Sequence, residues 1–154
     1  MESESNIAIK IVRSCLIYGP NMKGNLMQMS QGIKQGWFPP LTKRTNKKSL
    51  VHVDDLIKAI MIIIELHPST VPIVVTDGNA YSSKDLYMSF YRKAQRRISF
   101  RLPEITFNIA SSLLPGLRDK IDKLYSDEFY NSKEIFSLGF KPEFSLDDFN
   151  EESF

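Results

Sequence analysis

The chain has 154 residues, 42% hydrophobic and 25% charged, with a formal net charge of +2, which describes one compact globular unit able to bury a core. The near balance of charge excludes the basic stripe of a nucleic-acid binder, and no apolar run approaches the roughly 18–20 residues of a membrane-spanning helix. The single cysteine, Cys15, excludes an internal disulfide and fits a reducing compartment; residues 1–6 carry two glutamates and no cationic segment, so no secretory leader is expected and the reading is a cytoplasmic protein.

Residues 7–17 (IAIKIVRSCLI) form an apolar run without alternation, the pattern of a strand buried on both faces of a parallel sheet. Tyr18-Gly19-Pro20-Asn21 ends it as a turn. Leu26, Met29 and Ile33 recur at helical spacing and Gly36 closes that helix. A loop over residues 37–48 holds Pro39-Pro40 and the cluster Lys43, Arg44, Lys47 and Lys48. A short strand over 49–53 follows, and Asp54 or Asp55 is expected to cap a helix reaching about residue 66. That helix is apolar almost all round and reads as a core helix. Residues 72–76 give a second β-branched strand stopped by Asp77-Gly78. Ser82-x-x-Asp85 is a capping box opening a helix to about residue 96. A strand over 98–102, a helix over 105–114 and a short helix after Asn131-Ser132-Lys133 complete the chain.

A strand buried on both faces needs partner strands on either side and helices above and below. This chain offers few partner strands. It therefore reads as part of a larger fold, with a domain-swapped or obligate dimer as the alternative.

Three segments carry a resemblance. Arg13-Ser14-Cys15-Leu16-Ile17-Tyr18-Gly19-Pro20 resembles the R-P-x-x-x-Y-G-P segment of extended short-chain dehydrogenases/reductases. Lys48-Ser49-Leu50-Val51-His52-Val53-Asp54-Asp55-Leu56 resembles their R-S-x-V-H-V-D-D-L segment. Asn131-Ser132-Lys133 followed by Leu138-Gly139-Phe140-Lys141-Pro142 resembles their D-x-S-K … L-G-W-x-P tail. Order and spacing match across essentially the whole chain, and the subgroup is similar to the nucleotide-sugar epimerases and dehydratases of UDP-glucose 4-epimerase type.

The resemblance implies an α/β fold: the carboxy-terminal part of a Rossmann-type extended short-chain dehydrogenase, comprising the last sheet strands and the small substrate-binding lobe, as a single unit over 1–154 without the amino-terminal NAD-binding half. Family members bind the NAD pyrophosphate on a Gly-rich turn and use a Tyr-x-x-x-Lys pair as acid/base. Here the seven glycines never form G-x-G-x-x-G, and Tyr81…Lys84 and Tyr130…Lys133 are each one residue short of the pair; no catalytic residue is assigned, and at most weak NAD binding is expected of the chain alone.

By resemblance, Ser14, Cys15, Leu16 and Tyr18 border the nicotinamide end of the cofactor, with Ser14 standing where the family has proline; plain strand packing is the alternative. Lys23 and Asn25 face the sugar nucleotide, although Asn25 also suits a helix N-cap. Pro40 and Leu41 offer backbone groups to uracil. Arg44 and Lys48 belong to a basic loop suited to a diphosphate; Lys48 replaces an arginine and cannot form its bidentate fork, and a solvated basic loop explains the same residues. His52 reads as a satisfied core histidine. No metal-ligand spacing occurs.

The expected function is the sugar-nucleotide side of an NAD-dependent epimerase or dehydratase, with a UDP-sugar favoured. The alternatives are a stand-alone binding module and a piece of a steroid- or flavonoid-type reductase. The partners this implies are a separately encoded NAD-binding half or a second copy of the chain, and neither nucleic acid nor membrane.

Overall fold

The computed structural model describes residues 9–41, 45–66, 69–94, 123 and 125–148; the strand expected over 98–102 and the helix expected over 105–114 lie outside them. The apolar stretch that opens the chain forms two short strands, β1 (Lys10–Ser14) and β2 (Leu16–Tyr18), divided at Cys15. Helix α1 (Gly24–Gln35) follows, then β3 (Leu50–His52), α2 (Val53–Ile64), β4 (Ser69–Val75), α3 (Ser83–Lys93) and a short α4 (Lys133–Ser137).

The division at Cys15 lets one line of chain serve two pairings. β1 pairs in parallel with β4, Val12 opposite Ile73 and Ser14 opposite Val75, with an irregularity between Lys10 and Val12. β2 pairs in parallel with β3, Leu16 opposite Leu50 and Tyr18 opposite His52. The Asp77 N–H donates to the Leu50 carbonyl at 2.7 Å, so the chain leaving β4 closes onto β3. β-branched residues are concentrated in β4 (STVPIVV), as a pleated, half-buried surface favours.

The two pairings carry two hydrophobic clusters. Val12 and Cys15 pack with Val51, Ile73, Val75, Ala59 and Ile63 beneath α2. Leu16 and Tyr18 pack instead with Leu26, Met29 and Ile33 of α1 and with Leu86 and Phe90 of α3. Leu26, Met29 and Ile33 therefore form the buried stripe that their spacing predicts.

Local sequence sets most helix ends. Gly36, in the left-handed conformation at φ 83°, ends α1, a conformation glycine adopts without a Cβ penalty. α3 opens on the expected capping box, with the Ser82 hydroxyl and the Asp85 carboxylate each accepting from the other's backbone N–H. The start of α2 differs from expectation. His52 is its N-cap, and its Nδ1 accepts from the Asp54 N–H at 3.3 Å. Asp55 lies fully buried inside the helix and accepts from the Glu143 and Phe144 N–H groups at 3.0 and 2.9 Å. It thus fastens the end of the chain to the start of α2. No basic residue lies in the last turn of α2; the Lys10 ammonium from β1 donates to the Ile63 and Ile64 carbonyls there, where a cation complements the helix dipole.

Two expectations about burial are corrected. β1 is covered on one face only: Ile9 is 62% exposed and Ile11 42%, whereas Val12 packs against α2. α2 is not a core helix on all sides, because only Asp55, Ala59 and Ile63 are fully buried while Ile57, Met61 and Ile64 are each more than half exposed. Residues 57, 61 and 64 share one helical face, so the exposed residues form a stripe.

Asp55→Ala leaves two backbone donors without their acceptor. The substitution should cost about 2–4 kcal/mol in urea unfolding and speed amide exchange at residues 143–146; unchanged exchange there would show that the tail is held by other contacts.

Candidate functional site

Ligands of parallel α/β folds sit outside the carboxyl ends of the strands, and a cleft of about 430 Å³ lies at the end of β2, within the size range of small-molecule sites. It is lined by Cys15 to Tyr18 of the strand line, by Pro20, Asn21 and Met22 of the turn, by Lys23, Gly24, Asn25 and Leu26 at the start of α1, and by Val53.

The turn is sterically fixed. Gly19 has φ +132°, and a Cβ there would come within 2.8 Å of Val53 and 2.9 Å of the His52 Nε2. Asn21 takes the left-handed conformation at φ 58°, which asparagine tolerates better than most residues. The reversal delivers the amino end of α1 to the cleft. Lys23 is its N-cap and has no side-chain cap bond, and the first turn contains no acidic residue. Free N–H groups, the helix dipole and an exposed lysine together make this end attractive to an anion. Asn25 lies inside the first turn and is not the N-cap.

His52 packs against the Gly19 turn and Tyr18. The His52 ring sits edge-on to Tyr18, centroids 5.2 Å apart, and at 4.2 Å from Phe144. Being 5% exposed and bonded through Nδ1, it is a satisfied core histidine.

Behind Cys15 lies a buried polar group that motif reading did not assign to the site. Asp77 is 5% exposed and accepts from the Tyr81 hydroxyl at 2.6 Å and the Asn79 N–H at 2.9 Å. Burial pushes its carboxyl above the usual range, against the pull of those hydrogen bonds. Burial, reinforced by the Asp77 charge, pushes the Cys15 thiol up to about 12. Burial first and neighbouring carboxylates second also raise the Tyr18 hydroxyl. At neutral pH Cys15 and Tyr18 are therefore uncharged, so the cleft lining combines uncharged strand residues with the cationic Lys23 at the start of α1. The sequence signal for Asp77 is its place just past a β-branched strand, where Asp77-Gly78 also reads as a turn.

Of the residues singled out in the sequence, Cys15, Leu16, Tyr18, Lys23 and Asn25 converge on this cleft. Ser14 ends β1 opposite Val75 and is exposed. Pro40 is exposed, while the Leu41 side chain is buried in the core with Tyr18 and Leu26. Arg44 lies outside the described residues. Lys48 is fully buried: its backbone bridges Tyr81 and Glu128, and its ammonium donates to the Lys123 carbonyl, the Ser126 hydroxyl and the Glu128 carboxylate at 2.5, 3.2 and 3.0 Å.

Comparison with known proteins follows the same outline. No family model matches the chain. It is 26% identical over 156 residues to UDP-glucose 4-epimerase of Vibrio cholerae, across 92% of this chain and 44% of that protein. Human epimerase family protein SDR39U1, solved with NADPH, superposes with a TM-score of 0.67 at 17% identity, over 92% of this chain and 46% of that one. Bordetella bronchiseptica WbmG, solved with NAD and UDP, superposes with a TM-score of 0.65 at 15% identity, over 97% and 44%. The chain has the epimerase-like fold of the extended short-chain dehydrogenases/reductases.

The resemblance read from three motifs is thereby borne out, and the chain spans somewhat under half the length of the relatives it matches. An extended short-chain dehydrogenase fold implies a dinucleotide, but the residues present do not form its cradle: the sequence has neither the Gly-rich pyrophosphate turn nor the Tyr-x-x-x-Lys pair. Among the described residues no cluster of His, Cys, Asp and Glu could hold a metal ion, and no helix is long and apolar enough to cross a membrane.

The raised Cys15 thiol has a measurable consequence. At pH 8.5, where an ordinary thiol is half ionised, iodoacetamide should label the folded chain about a thousandfold more slowly than the urea-unfolded chain. A thiol raised on folding adds stability that is complete below the unfolded value and is lost as pH climbs toward about 12. Cys15→Ala should flatten that alkaline slope. Labelling rates within about tenfold of each other in the two states would contradict the assignment.

Proposed function

We propose that this chain supplies the nucleotide-sugar side of an NAD-dependent epimerase- or dehydratase-type enzyme and has no turnover of its own. The observation that carries the reading is the meeting, in one cleft, of the uncharged end of β2 with the uncapped, lysine-bearing start of α1. A sugar diphosphate carries both chemistries the cleft offers to recognise: anionic oxygens for the helix end and Lys23, and hydroxyls for the Asn25 amide. In this reading Pro40 and Leu41 offer main-chain groups to the base, and Ser14, Cys15, Leu16 and Tyr18 border the nicotinamide end of a cofactor held elsewhere. The names of the relatives support a UDP-sugar, since one is a UDP-glucose 4-epimerase and another was solved with UDP. A cytoplasmic location fits both a nucleotide-sugar ligand and an unpaired Cys15.

Lys48 has no ligand role in this proposal, because its ammonium is occupied within the fold. It joins the strand before α2 to the segment around Glu128.

Thermal denaturation of the purified chain with UDP, UDP-glucose and NAD tests the reading. UDP at about a hundred times its Kd should add about 2.7 kcal/mol to the apparent stability, whereas NAD should add nothing measurable. Lys23→Ala should weaken the binding of both UDP and UDP-glucose about tenfold, and Asn25→Ala that of UDP-glucose more than that of UDP, neither lowering the melting temperature of the free chain. A shift with NAD but not with UDP, or epimerase turnover by the pure chain, would overturn the proposal.

A further inference from the structure

We infer that Phe144 is a positioning residue for the cleft: through the His52 ring it fixes the Gly19 turn, whose following residues Pro20, Asn21 and Met22 line the ligand space. The inference deepens the nucleotide-sugar reading and rests on it for the identity of the ligand.

Phe144 does not itself line the cleft. It acts on the cleft through one side chain. Its ring lies on the His52 ring, with centroids 4.2 Å apart and planes inclined by 30°, while the Tyr18 ring meets His52 edge-on at 5.2 Å. A Cβ on Gly19 would stand 2.9 Å from the His52 Nε2, so the imidazole packs directly against the turn. His52 is thus enclosed by Phe144, Tyr18 and the turn, and both Tyr18 and the turn residues line the cleft. In a close-packed interior a ring held on these sides has one place to be, and removing a neighbour frees it.

The segment that carries Phe144 holds its ring in place. The buried Asp55 carboxylate accepts from the Glu143 and Phe144 N–H groups. Two residues on, the Leu146 N–H donates to the Tyr81 hydroxyl at 3.3 Å, and its carbonyl accepts from the buried Ser89 hydroxyl at 2.9 Å. The Leu146 side chain is buried in the same cluster as Tyr18 and Leu26, both of which line the cleft. The Lys58 ammonium lies 5.5 Å from the centroid of the Phe144 ring and pairs with the Glu143 carboxylate. The backbone on either side of Phe144 is therefore tied to α2, to Tyr81 and to α3. Burial alone asks only for apolar area, whereas these ties fix the direction from which the ring meets His52. Support of this kind sets the affinity of a site without touching its ligand.

Amide exchange and UDP binding, both measured on the full chain well below its melting temperature, test the inference. The Met22 N–H donates to the Gly19 carbonyl at 3.2 Å, so its exchange reports opening of the turn. Phe144→Ala should speed Met22 exchange about fivefold or more and weaken UDP binding about tenfold. Phe144→Leu keeps most of the buried volume and serves if the alanine variant does not fold; it should move both quantities the same way by less. Phe144→Tyr keeps the ring and should restore both. Phe140→Leu is the comparison for stability alone. Phe140 is buried in the other cluster, so this variant should melt earlier with Met22 exchange and UDP affinity unchanged. Met22 exchange that stays the same in the alanine and leucine variants of Phe144 would overturn the inference. So would a loss of UDP affinity in Phe140→Leu as large as in Phe144→Ala, or a failure of Phe144→Tyr to restore the turn. If the unaltered chain does not bind UDP, the nucleotide reading fails alone, and Met22 exchange still decides the role of Phe144.

Discussion

The fold depends on one divided strand. From Lys10 to Tyr18 the backbone runs on with a single break at Cys15, and that break sends the first part to β4 and the second to β3. The same break assigns Val12 and Cys15 to one hydrophobic cluster and Leu16 and Tyr18 to the other. It also decides where the strand ends. The turn at Gly19 then has no freedom, because His52 and Val53 occupy the space a side chain would need, and α1 begins where that turn releases it. The cleft is thus a consequence of strand pairing rather than of a separately built loop.

Buried polar groups hold this arrangement in register across long stretches of sequence. Lys48 reaches Lys123, Ser126 and Glu128, Asn46 pairs with Ser83 at 2.7 Å, Thr76 meets Ser132 at 2.6 Å, and Asp55 holds the backbone at Glu143 and Phe144. A buried polar group without its partner costs more than a hydrogen bond contributes, so each tie specifies which distant segment may pack there. Two of these residues, Lys48 and Asp55, lie in the second of the three motifs that resemble the epimerase family. The structure gives both an architectural use, and neither lines the cleft at the end of β2.

Signals of short range were legible in the sequence. Gly36, the Ser82–Asp85 capping box and the Asp77-Gly78 stop act within a few residues, and each appears where expected. The convergence of Cys15, Leu16, Tyr18, Lys23 and Asn25 was legible because the residues follow one another along the chain. What escaped depends on distant partners. Nothing near Lys48 indicates that its ammonium turns inward to a segment about eighty residues away. His52 was missed as the cap of α2 because the aspartates beside it are the commoner choice, and Asp55 was drawn instead to the tail. The exposure of Ile11, Ile57 and Ile64 was not legible because an apolar run does not record which of its faces packs.

Whether the cleft between β2 and α1 takes a sugar nucleotide is decided by nitrogen–proton correlation spectra of the labelled chain recorded during a UDP-glucose titration. Saturable shifts are expected on residues 15–26 and on Val53, which line or flank the cleft, with β4 and α4 unmoved. Shifts centred elsewhere, or none at concentrations where the chain remains folded, would contradict a sugar-nucleotide site there.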